Sequence, residues 1–105
     1  MIIVETSIFT KQVSAELADD EYRLLQECLV HNPEIGKIIQ GTGGIRKTRW
    51  GVEGRGKRGG VRIIYYWHVD DQIVLMLLMY RKNERDDLTS QQKAILRDLV
   101  KKEFK

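Results

Sequence analysis

Seven basic side chains, Arg46, Lys47, Arg49, Arg55, Lys57, Arg58 and Arg62, fall within residues 41–66, accompanied by a single acid, Glu53. That segment carries a net charge of +6 in a chain of net charge +3, so the remaining residues carry −3. The cationic character is therefore local. All nine glycines lie between Gly36 and Gly60, and Trp50, Tyr65 and Tyr66 add π-faces. Cations on a flexible backbone beside aromatic rings suit a polyanion that carries bases, which is nucleic acid. Guanidinium groups grip phosphates bidentately, and aromatic rings such as Tyr66 and Trp50 stack on bases.

The same residue types can do RNA chemistry. RNA supplies its own nucleophile, the 2′-hydroxyl. Cleavage needs that hydroxyl deprotonated, the charge on the phosphorus oxygens stabilised and the leaving 5′-oxygen protonated. Arginine serves the second need. A lysine whose pKa is lowered by neighbouring cations serves the first or third, and Glu84 is a further candidate base. From residue types alone three readings stay open: nucleic-acid binding without catalysis, RNA cleavage, and protein interaction through a solvated basic surface. Gly54-Arg55-Gly56 and Gly41-Thr42-Gly43 match neither a P-loop nor a dinucleotide-binding fingerprint in full.

Other chemistries find little support. The only histidines, His31 and His68, form no ligand-spaced cluster with the lone Cys28, so no metal or cofactor is expected. No nucleophile-elbow pattern is present. Cys28 sits in an apolar helical pattern and reads as structural, and one cysteine allows no internal disulfide. At 105 residues, with 42% hydrophobic and 31% charged residues, the chain reads as a single globular domain over 1–105. Its start, Met1-Ile2-Ile3-Val4-Glu5, lacks the features of a signal peptide, and the run from Ile73 to Tyr80 is too short to span a membrane. A soluble, cytoplasmic protein is expected.

The elements that must position the cations follow from local patterns. Residues 2–5 read as a strand, and Ser7 is the expected cap of a short helix through Phe9 and Val13. A second helix starts at Asp19-Asp20-Glu21, buries Tyr22, Leu25, Cys28 and Leu29, and stops before Pro33. Ile38-Ile39 is a short strand or part of a connection. Residues 45–50 read as a strand with Ile45, Lys47 and Arg49 on one face and Arg46, Thr48 and Trp50 on the other. Residues 51–60 read as a loop with at most frayed strand ends. Residues 61–69 and 73–80, joined by the turn Asp70-Asp71-Gln72, read as central strands covered on both faces. Arg62 shares its face with Ile64, Tyr66 and His68. Thr89 and Gln92 form a capping box for a last helix with Ile95, Leu96, Leu99 and Val100 as its apolar stripe. The class is α+β: an antiparallel sheet packed with N-terminal helices and a C-terminal helix.

Three blocks in this order resemble one family: Ile39-Gln40-Gly41-Thr42-Gly43-Gly44-Ile45-Arg46-Lys47, then Gly56-Lys57-Arg58-Gly59-Gly60-Val61-Arg62-Ile63-Ile64-Tyr65-Tyr66, then Tyr80-Arg81-Lys82-Asn83-Glu84. They look like the HigB branch of the RelE/HigB toxins, the toxin halves of type II toxin–antitoxin modules. The resemblance covers nearly the whole chain. It implies a microbial-RNase-like fold and a metal-independent endoribonuclease, or mRNA interferase, that cuts mRNA in the ribosomal A site and inhibits translation. It implies as partners the ribosome, mRNA and a cognate helix-turn-helix, HigA-like antitoxin, with operator DNA reached only through that antitoxin. Carried over by position, the resemblance makes Arg62, Lys82, Lys47 and Arg49 the catalytic candidates. Arg46, Arg55, Lys57, Arg58, Tyr66, Arg81 and Asn83 are the candidates for RNA or ribosome contact. RelE itself has an arginine where Asn83 stands and a catalytic tyrosine near Thr89; this chain departs from both. The alternative is a non-catalytic RNA- or ribosome-binding module that blocks translation by occupancy.

Overall fold

The computed structural model describes residues 1–52, 56–81 and 87–104, with the side chains of Val52 and residues 56–59 excepted. The elements run β1 (Ile2–Glu5), α1 (Ser7–Glu16), α2 (Asp19–His31), β2 (Lys37–Ile38), β3 (Arg46–Val52), β4 (Gly56–His68), β5 (Ile73–Arg81) and α3 (Ser90–Glu103). They form one five-stranded sheet in the order β1-β5-β4-β3-β2. The class is α+β, as expected. The sheet is mixed rather than wholly antiparallel: β1 lies parallel to β5, with Ile2 opposite Ile73 and Glu5 opposite Met76, while the other neighbours are antiparallel. Helices α1 and α2 between β1 and the rest of the sheet allow the chain to return in that direction.

Each face of the sheet is covered by a different set of helices. Phe9 and Val13 of α1 and Leu25 and Leu29 of α2 pack with Val61, Ile63, Tyr65, Val74, Met76 and Met79. On the other face, Leu96 and Val100 of α3 pack with Ile45, Ile64, Leu75, Leu77 and Tyr80. This double cover explains why β4 and β5 are apolar at nearly every position. Ile95, expected in the apolar stripe of α3, is 57% exposed. The helix turns only a narrow stripe inward, centred on Leu96 and Val100.

Strand β5 contains a bulge. Ile64 of β4 faces Leu78, but Tyr65 faces Met76, so Leu77 is extra. The alternation of side chains shifts there: Met76 and Met79 share one face, and Leu77 and Tyr80 share the other. Beyond the end of β1, the open edge of β5 is satisfied by side chains of the first helical segment. The Thr6 hydroxyl donates to the Leu77 carbonyl at 2.9 Å, and the Met79 N–H donates to Gln12 Oε1 at 2.8 Å. Thr6 also caps α1, its Oγ1 accepting from the Phe9 N–H at 3.0 Å. The cap is thus Thr6 and not the expected Ser7; both residue types suit a cap, and only Thr6 can reach β5 as well.

Two further expectations are corrected. Residues 51–60 are not a loop throughout, because β3 runs to Val52 and β4 begins at Gly56. Glycines there obscured a strand whose pairing, Val52 opposite Gly56, needs no side chain. Cys28 is partly exposed rather than fully buried.

Behind β3, Tyr65 fastens the connection that follows α2. Its hydroxyl accepts from the Gly36 N–H at 2.9 Å and donates to the Pro33 carbonyl at 2.8 Å. A Cβ at Gly36 would lie 2.9 Å from the Tyr65 ring and hydroxyl and 3.0 Å from the Lys47 carbonyl. Gly36→Ala is therefore expected to lower stability by about 1–3 kcal/mol, the range for overpacking a closed site, as read by urea denaturation.

Candidate functional site

The register of β3, β4 and β5 places cations directly beside one another. Arg49 pairs with Arg62, and Arg62 pairs with Tyr80; one step along, Lys47 pairs with Ile64 and Ile64 with Leu78. All of these lie on the face that α3 covers, because Ile45, Ile64 and Tyr80 belong to that cluster. Arg49, Arg62 and Tyr80 thus form a row across three strands, with Lys47 next to Arg49 on the same face. The bulge at Leu77 brings Tyr80 into this row; without it, residue 80 would face α1.

The electrostatics of the row are unfavourable without an anion. Like charges directly opposite on neighbouring strands repel, and Arg62 is only 7% exposed, where a charge usually has a counter-charge. Among the described residues no carboxylate lies within ion-pair distance of Arg49 or Arg62. Lys47 does have a partner, Asp87, at 3.5 Å. The Asp87 carboxyl accepts from the Leu88 N–H at 2.9 Å. That bond first, and the Lys47 ammonium after it, hold the Asp87 carboxyl below its ordinary range. Asp87 escaped the sequence reading. The capping box is what could have found it, since Thr89 fixes the start of α3 and so places residue 87 at that end of the sheet.

The other sequence candidates fall elsewhere. Arg46 points to the opposite face, where its guanidinium donates to the carbonyls of Gly36 at 2.8 Å and Glu34 at 3.3 Å. Arg81 also lies away from the row and pairs with Glu16 at 2.8 Å. Tyr66 shares the face of Arg62 but sits two same-face positions along β4, with its ring centroid 5.5 Å from that of Phe104. Trp50 packs against the α1/α2 cluster. Lys82, Asn83, Glu84 and Arg55 lie outside the described residues, and so do the side chains of Lys57 and Arg58. Among the described residues no three His, Cys, Asp or Glu side chains come together as a metal site.

A family model described as the RelE toxin of the RelE/RelB toxin–antitoxin system matches residues 3–105. The chain belongs to the RelE toxin family. The fold agrees with a solved member of the RelE family, an arginine-to-alanine double mutant of the E. coli toxin RelE in the free state. That chain superposes with a TM-score of 0.61 at 14% identity, covering 94% of this chain and 96% of that one. At so low an identity the match speaks for the RelE fold and not for individual side chains. The described helices include none long and apolar enough to cross a membrane.

Proposed function

We propose that this RelE-family chain is a ribosome-dependent endoribonuclease of the HigB-like branch, cutting mRNA in the A site and thereby arresting translation. The observation that carries the reading is the in-register pair Arg49 and Arg62, flanked by Lys47, with no described carboxylate to neutralise the two arginines. A scissile phosphate supplies negative charge to the two arginines, and it supplies more of it as the transition state develops. Arg62, held rigidly on a central strand, stabilises the phosphorus oxygens, with Arg49 beside it. Lys47 and Lys82 share the remaining charge stabilisation and the proton transfers to and from the 2′- and 5′-oxygens. No metal or cofactor has a part in this scheme. Lys57, Arg58 and Arg55 dock ribosomal RNA from the β3–β4 hairpin. A helix-turn-helix, HigA-like antitoxin masks the cationic face, and the toxin acts in the cytoplasm.

The experiment is the mapping of mRNA 5′ ends in a translating extract supplied with the protein. New ends at codon positions within the reading frame are expected. Inhibited translation with no new ends would replace cleavage by occupancy of the A site.

A further inference from the structure

Tyr66 shares the face of Arg62 and lines a pocket away from the arginine row. A pocket of about 180 Å³ opens between the last turns of α3 and the turn that precedes β3. Its walls include Gly43, Tyr66, His68, Arg97, Lys101 and Phe104. Arg97 and Lys101 stand one helical turn apart on α3 and so reach the same side. The residues lining the pocket include no carboxylate. Outside that lining, Asp71 sits 3.4 Å from the His68 imidazole.

Three features of this pocket point to a ligand. The Arg97 Nε–H is buried without a hydrogen-bond partner, although another nitrogen of the same guanidinium donates to the Gly41 carbonyl at 3.2 Å. A buried unpaired donor on a charged group is costly, and an anionic oxygen would relieve it. The neighbouring turn is opened by glycines with positive φ, 76° at Gly43 and 111° at Gly44. A Cβ at Gly43 would meet nothing within 4 Å, so the backbone there is approachable. The lining is also aromatic: His68 stacks on Phe104 at 4.2 Å, and Tyr66 lies beside them. Cations and aromatic rings in one pocket match a nucleotide, with its phosphate on the guanidinium and its base against the rings.

We propose that this pocket is a second RNA-binding site, in which Arg97 and Lys101 hold a backbone phosphate and Tyr66 flanks the adjoining base. The inference rests on the reading of the chain as a protein that acts on RNA. Tyr66 lies four residues from Arg62 along β4, about 13 Å at the rise of a strand. Arg49 and Lys47 lie on β3, and the glycine turn at the pocket precedes that strand. A single strand of mRNA long enough to span that distance touches both, so the pocket fixes the position of a nearby nucleotide while the arginine row holds the scissile phosphate.

The test is a titration of the ¹⁵N-labelled protein with a single-stranded RNA hexanucleotide, followed by NMR, with inorganic phosphate as a parallel arm. The Arg97 Nε–H and the amides of Gly43 and Lys101 are expected to shift in both arms, and the Tyr66 ring with RNA only. Lys101→Gln removes an exposed charge and leaves the Arg97 contacts intact. It should weaken RNA binding about tenfold, the effect of one charge-assisted hydrogen bond. It should also reduce the slope of log affinity against log salt by about 0.7, the value for one phosphate contact on a single strand. An Arg97 Nε–H that does not move with RNA, or a Lys101→Gln protein with unchanged affinity and slope, overturns the inference. Shifts with inorganic phosphate alone also overturn it, leaving a site for small anions. Both readings can fail separately: new mRNA ends with normal Lys101→Gln binding would reject only the pocket, whereas RNA in the pocket without new ends would reject only cleavage.

Discussion

Replacing Arg62 with alanine is expected to lower mRNA cleavage by roughly 10²–10³-fold, the usual cost of losing one preorganised donor to a developing oxyanion. Arg62 is 7% exposed, and Arg49 stands opposite it in register on β3. Its position on a central strand, paired on both sides, means that it need not reorganise as charge builds on the phosphate. The fold should persist, because the substitution removes one of two repelling charges and because the core residues on either side, Val61 and Ile63, face α1 and α2. Arg62→Lys should recover only part of the activity, since an ammonium keeps the charge but loses the two-pronged grip. The measurements are growth arrest on induced expression and 5′-end mapping, with circular dichroism to verify folding. Growth arrest by folded Arg62→Ala equal to that of the original protein would remove Arg62 from the mechanism.

Much of the geometry of this candidate site is legible in the sequence. The alternation of residues 45–50 put Lys47 and Arg49 on one face, and the β-branched run after residue 60 put Arg62 on a central strand. Both follow from the two-residue period of a strand. What the sequence concealed has a common cause: positions where the local pattern carries no periodic signal. Residues 73–80 are apolar throughout, so nothing in them reveals that Leu77 is a bulge and that Tyr80, rather than Met79, neighbours Arg62. The glycines before Val61 lack the side chains by which a strand is recognised, and β4 consequently starts earlier than expected. The parallel pairing of β1 depends on how the chain returns over α1 and α2, and four residues of strand cannot state it. Arg46 has the charge of a ligand contact but the parity of the opposite face, and its guanidinium serves the backbone after α2. Tyr66 has the parity of Arg62, but parity carries no distance, and the ring lies beside Phe104 at the end of α3.

Loss of the Tyr65 hydroxyl is the second large effect expected, this one on stability. The ring is 0% exposed, and Tyr65→Phe strands the Gly36 N–H and the Pro33 carbonyl at once. Buried groups left unpaired cost about 1–3 kcal/mol each at most, so a loss of about 2 kcal/mol is expected where water reaches one of them. The damage should spread to β2, whose Lys37 pairs with Lys47 just beyond Gly36, and thus to the edge of the sheet that carries the cations. The same hydroxyl sets an alkaline limit. Burial raises the Tyr65 pKa, and the Gly36 hydrogen bond and the Arg46 charge offset this only in part. The unfolded chain releases the tyrosine proton near about pH 10, while the native state retains it. Above that pH the native state binds more protons than the unfolded one, so stability falls as pH rises, by about 1.4 kcal/mol per unit for this group, until the native pKa is reached. Below pH 10 the group adds no slope. Tyr22, whose pKa is raised by burial and by its hydrogen bond to Glu5, adds a slope of the same sign. Urea titrations at intervals between pH 8 and about 11.5 should therefore show a shallower decline for Tyr65→Phe than for the unmodified protein, on top of its lower starting stability. Equal slopes would mean that Tyr65 ionises in the folded protein as freely as in the unfolded one, and that the connection after α2 opens before the sheet does.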